Sequence, residues 1–175
     1  VLWGGRMAYK WKMSLDKMID VLIYGTFAAI IGARLYYVVF RWDYYSAHPD
    51  EIIQIWNGGL AIYGGIIFAA LSVFVICKIK KCDFRTMFDI MAIGLMIGQI
   101  IGRWGNFVNI EVYGVSTDLP WAMGIGYYGT GAEELVHPLF LYESLWNLVG
   151  FILIYGYKDY RKFNGELFLW YSAWY

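Results

Sequence analysis

Thirteen residues from Gly102 to Gly114 read GRWGNFVNIEVYG, and they set a cation, two amides and a carboxylate within nine positions: Arg103, Asn106, Asn109 and Glu111. They follow directly on the apolar run IGLMIGQII. A guanidinium where a hydrocarbon segment ends is suited to gripping a phosphate, because its planar fork donates to two oxygens at once. Gly102 and Gly105 let chain and ligand approach, and the asparagine amides can orient a polar headgroup. Glu111 either holds Arg103 in place or accepts from a hydroxyl. Together these residues describe a site for a lipid phosphate.

Two further stretches carry chemistry. NGGLAIYGGIIFAA brackets Tyr63 with Gly58, Gly59, Gly64 and Gly65. A phenol between bare backbone patches can hold an ester or phosphate by hydrogen bond; close helix packing and an interfacial tyrosine are the structural alternatives. HPLFLYESLWN puts Pro138 in the first turn of a helix, with His137 just before it and Tyr142 and Glu143 about a turn later. Asp20, Arg34, Asp89 and Glu143 fall within or at the margins of apolar segments. An ionisable group near the centre of a membrane helix costs at least about 2 to 3 kcal/mol, so each needs a partner or a wet cavity. Asp20 and Asp89 are expected in structural pairs, Arg34 and Glu143 at a cavity wall. Cys77 and Cys82 lack ligand spacing, and no metal or cofactor is implied.

The elements that must position these residues are membrane helices. The 175 residues are 60% hydrophobic and only 16% charged, against roughly 25% charged in an ordinary soluble domain. Lys plus Arg and Asp plus Glu balance at 14 each, which argues against the concentrated basic surface of a nucleic-acid binder while leaving room for bias by position. Five segments suit a bilayer span of about 20 apolar residues: 18–40, 60–79, 84–102, 139–157 and 167–175, the last cut short. The predicted fold is all-α, a polytopic transmembrane helix bundle forming a single membrane domain over 1–175, with a large loop over 103–138. Basic residues cluster before the first span, between the second and third, and between the fourth and fifth; the other loops carry Arg41 and Arg103. That alternation makes the loop at 103–138 face outward. Trp104, Tyr113, Trp121, Tyr127 and Tyr128 suit the headgroup layer. Both ends read as cut, so the chain is expected to be a fragment lacking both ends of a longer protein.

The stretch GRWGNFVNIEVYG resembles the signature of the prolipoprotein diacylglyceryl transferases. GARLYYVVF at 32–40, GGLAIYGG at 58–65, HPLFLYES at 137–144 and GELFLWYSAWY at 165–175 match the family in order. The resemblance implies a bacterial plasma-membrane enzyme of seven spans whose site opens to the outer leaflet. It implies transfer of a diacylglyceryl group from phosphatidylglycerol to the lipobox cysteine of a preprolipoprotein signal peptide, with release of glycerol phosphate. Arg103, Asn106, Glu111 and Gly114 carry over as site residues, and Tyr175 resembles a late-span tyrosine. Tyr63 stands where many relatives have His. Tyrosine, with a reference pKa near 10, is a poor proton acceptor at neutral pH, which leaves His137 or a mechanism that relies on orientation more than on deprotonation. The rival readings are a lipid transporter or scramblase fragment and a non-enzymatic lipid-binding membrane protein.

Overall fold

The computed structural model describes residues 2–126 and 133–175. Tyr127 and Tyr128 lie outside the described residues. The chain forms helices α1 (Leu2–Lys10), α2 (Leu15–Phe40), α3 (Trp42–Tyr45), α4 (Ile62–Ile79), α5 (Phe84–Asn109), α6 (Leu139–Tyr157) and α7 (Glu166–Trp174). Short 3-10 turns at Pro49–Glu51 and Ile55–Asn57 lie between α3 and α4. Strands β1 (Met123–Gly126) and β2 (Glu133–Val136) pair antiparallel between α5 and α6. Among the described residues four helices, α2, α4, α5 and α6, are long and apolar enough to cross a membrane. The protein is thus an all-α, multi-pass membrane protein with one small hairpin. Its two compact units divide within α5, at Met87 and Phe88.

In the first unit, α2 and α4 are held together by small residues. A Cβ on Gly32 would run into the Phe68 ring, and one on Gly64 into the Gly32 carbonyl. In hydrocarbon, where apolar burial cannot drive helices together, such backbone contact supplies the van der Waals attraction. Met18, Val21, Val73, Cys77 and Met87 form the sealed core, and Ile62, Ile66, Leu71 and Ile79 remain exposed on the protein, as a lipid-facing helix requires. Asp20 pairs with Lys80 at 2.6 Å.

In the second unit, Asp89 organises the start of α7. Its fully buried carboxylate pairs with Arg161 at 2.7 Å and accepts from the backbone N–H groups of Gly165 at 2.8 Å and Phe168 at 3.0 Å. Asp89 therefore caps α7 from a different helix, satisfying donors that the first turn leaves open. α6 and α7 meet where Trp146 and Trp174 stack at 4.4 Å, a contact that Gly150 makes room for.

Two boundaries differ from the sequence expectation. The segment expected to end at Gly102 stays helical to Asn109, so Arg103, Asn106 and Asn109 lie on the last two turns of α5 and not in a loop. The hydropathy falls there while the i to i−4 bonding continues, as in a helix that emerges from an apolar layer. Pro138 occupies the position before α6 rather than its first turn.

Candidate functional site

In the second unit, polar residues collect at the C-terminal end of α5. Arg103 pairs with Glu143 of α6 and donates from Nη1 to Asn106 Oδ1 at 3.4 Å. The helices are locked at this level. Trp104 Nε1 donates to Ser144 Oγ at 3.2 Å, Ser144 Oγ donates to the Ile100 carbonyl at 3.1 Å, and Phe140 packs against Trp104 and Phe107. Ser144 thereby fixes its neighbour Glu143 opposite Arg103. Of the two roles expected for Glu111, holding Arg103 or accepting from a hydroxyl, the first is filled by Glu143, 40 residues after Arg103.

Glu111 serves the asparagines. Its Oε1 accepts from Asn106 Nδ2 at 3.0 Å and Asn109 Nδ2 at 3.2 Å. The chain reaches this position by a tight reversal in which Glu111 N–H bonds the Asn106 carbonyl at 3.0 Å. The residues on either side, Ile110 (φ 54°) and Val112 (φ 55°), are left-handed. For β-branched residues that conformation is strained, by of order 1–3 kcal/mol each, and such strain tends to gather at functional sites. With both amide donors turned to the carboxylate, the Asn106 carbonyl oxygen faces the guanidinium.

From Glu111 the chain runs to Gly114, whose N–H bonds the His137 carbonyl at 2.9 Å. A Cβ at 114 would lie 2.7 Å from that of His137, so this close approach needs glycine. His137 Nδ1 lies 3.1 Å from the Tyr142 hydroxyl, which accepts from Trp121 Nε1 at 2.8 Å. His137, Tyr142, Glu143, Arg103, Asn106, Asn109, Glu111 and Gly114 thus form one connected region. Trp121, Ser144 and Trp104 join it without having been marked as site residues; aromatic and hydroxyl side chains near a helix end carry no signal that separates them from interfacial residues. Tyr175 stacks on Tyr171 at 6.2 Å, and Tyr171 accepts from Gln99 Nε2 at 3.0 Å. Gln99 and Tyr171 each lie one helical turn before a site candidate, Arg103 and Tyr175.

The remaining candidates belong to the first unit. Tyr63 is 68% exposed at the start of α4. Gly58 (φ 84°, ψ −157°) and Gly59 (φ 74°) take conformations that favour glycine, and both carbonyls accept from Arg34 Nη1, at 2.8 and 3.0 Å. A pocket of about 200 Å3 lies beside Arg34, lined also by Tyr37, Tyr44, Tyr45 and Glu51. Tyr44 donates to Glu51 Oε2 at 2.9 Å, and this hydrogen bond to a carboxylate holds the phenol above its ordinary pKa.

Comparison with known proteins decides what this arrangement belongs to. A family profile described as prolipoprotein diacylglyceryl transferase matches residues 1–175. The chain belongs to the prolipoprotein diacylglyceryl transferase family. It is 48% identical over 163 residues to the phosphatidylglycerol–prolipoprotein diacylglyceryl transferase of Finegoldia magna, covering 93% of this chain and 63% of that protein. The enzymes of the same name from Lysinibacillus sphaericus and Streptococcus uberis are 45% and 43% identical, covering 98% and 94% of this chain and 66% and 65% of theirs. The chain thus spans just under two thirds of the length of these relatives. The cluster at the end of α5 lies in GRWGNFVNIEVYG, the segment that resembles the family signature.

Proposed function

We propose that the full-length protein transfers the diacylglyceryl group of phosphatidylglycerol to the lipobox cysteine of a preprolipoprotein and releases glycerol phosphate. The observation that carries this reading is the Arg103–Glu143 pair. A guanidinium with a carboxylate behind it and 26% of its side chain still open stands among amides at the end of an apolar helix, in a chain of this family.

The chemistry asks for such a group. The cysteine sulfur forms a bond to the glycerol carbon that bears the phosphate ester, and the carbon–oxygen bond breaks. The electron pair stays on the departing oxygen, so a singly charged phosphodiester becomes a monoester with additional negative charge, and the thiol proton passes to a base or to solvent. Arg103 stabilises the charge that appears on the leaving group, in a poorly solvated place where such contacts count most. Asn106, Asn109 and Gly114 accommodate the headgroup, while Glu111 fixes the amides. In the second unit Tyr142 and Glu143 contribute to binding and Tyr175 is a hydrogen-bond partner; Gly58, Gly59 and Tyr63 of the first unit are proposed for binding and hydrogen bonding on their sequence match alone. A thiol with a reference pKa near 8.5 is mostly protonated at neutral pH and benefits from a nearby base or cation. His137 is the proton acceptor if one is required, because the Tyr63 phenol is too weak a base.

The alternation of Arg and Lys clusters supports a site that faces outward, and the family supports a bacterial plasma membrane, with the site toward its outer leaflet. The test is direct. Full-length protein in phosphatidylglycerol vesicles is given a lipobox peptide, and thioether-linked diacylglycerol on the peptide is measured by mass. Absence of product from the unaltered protein overturns the reading, and unchanged turnover in Arg103→Ala removes the role given to that residue.

A further inference from the structure

Arg34 sits six residues before the end of α2, about 9 Å along the helix axis at about 1.5 Å per residue. It is 7% exposed. A cation at that depth normally takes a carboxylate partner or faces water. Arg34 instead sends each of its four hydrogen bonds among the described residues to main-chain carbonyls. Nε donates to Ile52 O at 2.9 Å and Nη2 to Glu51 O at 2.7 Å, along one edge of the guanidinium. Nη1 donates to Gly58 O at 2.8 Å and Gly59 O at 3.0 Å. The Tyr45 ring lies 5.2 Å from the guanidinium carbon, a cation–π distance.

These acceptors belong to two pieces of one connection. Glu51 ends the 3-10 turn Pro49–Glu51 and Ile52 caps it; the Glu51 carbonyl also accepts from Gln54 N–H at 3.0 Å. Gly58 and Gly59 form the bend that enters α4, and their left-handed backbone turns both carbonyls to the same nitrogen. A Cβ on Gly59 would fall 2.5 Å from that nitrogen. A second tie runs from Ala61 N–H to the Ala33 carbonyl at 3.0 Å. With four of its five N–H groups engaged, the guanidinium has little left for a lipid.

We propose that Arg34 is a positioning residue, a clamp that fixes the segment 51–61 and through it the start of α4, so that Tyr63 is presented in one place. Its value for catalysis rests on the transferase reading above; its action on the loop does not. The planar fork is essential, because only a guanidinium reaches both carbonyl pairs. A lysine keeps the charge but offers its donors from a single nitrogen and can hold one side at most.

The experiment uses the full-length protein in phosphatidylglycerol vesicles with Arg34→Lys, Arg34→Gln and, from the loop side, Gly58→Ala. Amide hydrogen exchange is followed over 49–61, with 139–157 as the internal reference, and transfer to a lipobox peptide gives kcat and KM. The expected result is at least tenfold faster exchange over 49–61 in both Arg34 variants, with the reference helix unchanged and no rescue by lysine. kcat should fall about tenfold while KM for phosphatidylglycerol moves less than twofold. Gly58→Ala keeps the cation and should still loosen the loop, which covers the case in which the arginine variants do not accumulate. Unaltered loop exchange in whichever variants accumulate overturns the proposal, and a tenfold rise in KM with a protected loop would make Arg34 a lipid ligand instead. If the unaltered protein transfers nothing, the function proposed above fails and the exchange measurement still decides this one.

Discussion

Arg34 and Arg103 hold similar places on two long helices. Each lies six residues before the last residue of a 26-residue helix, and after each a connection, with α3 and two 3-10 turns in one case and the β1–β2 hairpin in the other, leads to a shorter apolar helix. Their partners differ. Arg34 is surrounded by carbonyls, which satisfy its donors with partial charges and leave its full charge inside the protein. Arg103 meets a full carboxylate, that of Glu143, and keeps a quarter of its side chain open. A guanidinium bound to several main-chain oxygens is a fixed structural knot. One oriented by a single carboxylate on one side remains able to receive an anion on the other. The surroundings, not the residue type or its depth, separate a structural cation from a candidate catalytic one.

The comparison breaks most visibly at Arg103. Arg103→Ala should lower kcat for transfer by at least about 10²-fold, the usual consequence of deleting a donor aimed at developing charge, with membrane insertion unaffected. Arg103→Lys should recover little of the loss, since the two-oxygen fork is gone. If alanine at 103 costs less than at 34, the assignment of roles is reversed.

Asp89 extends the structural side of the comparison. Replacing it by Asn would remove the carboxylate that Arg161, whose side chain is 13% exposed, meets at 2.7 Å, and would weaken the cap on α7. Breaking a buried pair from one side costs roughly 3–5 kcal/mol. Asp89→Asn should therefore reduce the amount of folded protein and its thermal unfolding temperature, while the fraction that folds retains its KM. A folded variant with normal stability would show that the pair does not hold α7.

Glu143→Gln sharpens the reading of Arg103 itself. The amide keeps the shape and one acceptor, so the guanidinium stays roughly in place but is no longer drawn to a negative charge. Transfer should show kcat reduced about tenfold with KM changed much less, since a small misplacement of a catalytic group affects the reaction more than binding. Equal kcat in the variant would mean that the carboxylate does not orient the cation.

The sequence made the four long helices legible because runs of about 20 apolar residues have few other uses. It also showed that Asp20 and Asp89 needed partners, from the cost of a charge in such a run. It did not name those partners: Asp89 lies 72 residues from Arg161 and Arg103 lies 40 from Glu143, and no local pattern spans such gaps. The end of α5 at Asn109 is not legible in the sequence because Gly102, Gly105 and the polar residues after them resemble the end of a span, and hydropathy reports the surrounding medium rather than the helical bonding. The partners of Arg34 were hidden for another reason. Carbonyls belong to every residue, and only the left-handed glycines at 58 and 59 hinted that the backbone there was arranged for something.

The smallest effect belongs to Lys80 and Asp20, the pair nearest water. The contact is short, 2.6 Å, but its side chains are 41% and 36% exposed, and exposed ion pairs contribute little after screening and lost side-chain freedom. The Asp20 hydrogen bond and charge raise the Lys80 pKa above its ordinary value of 10.5. A group raised in the folded state contributes its stability in full below the unfolded pKa and loses it only as pH climbs through the folded one. Whatever the pair adds is therefore constant from pH 6 to 9 and disappears above about 10.5. Lys80→Ala should leave thermal stability in that neutral range almost unchanged, and 1 M salt should erase any remaining difference from the unaltered protein, because the Debye length there is about 3 Å. A large, salt-resistant loss would place Lys80 with Arg34 and Asp89 among the charges that hold the fold.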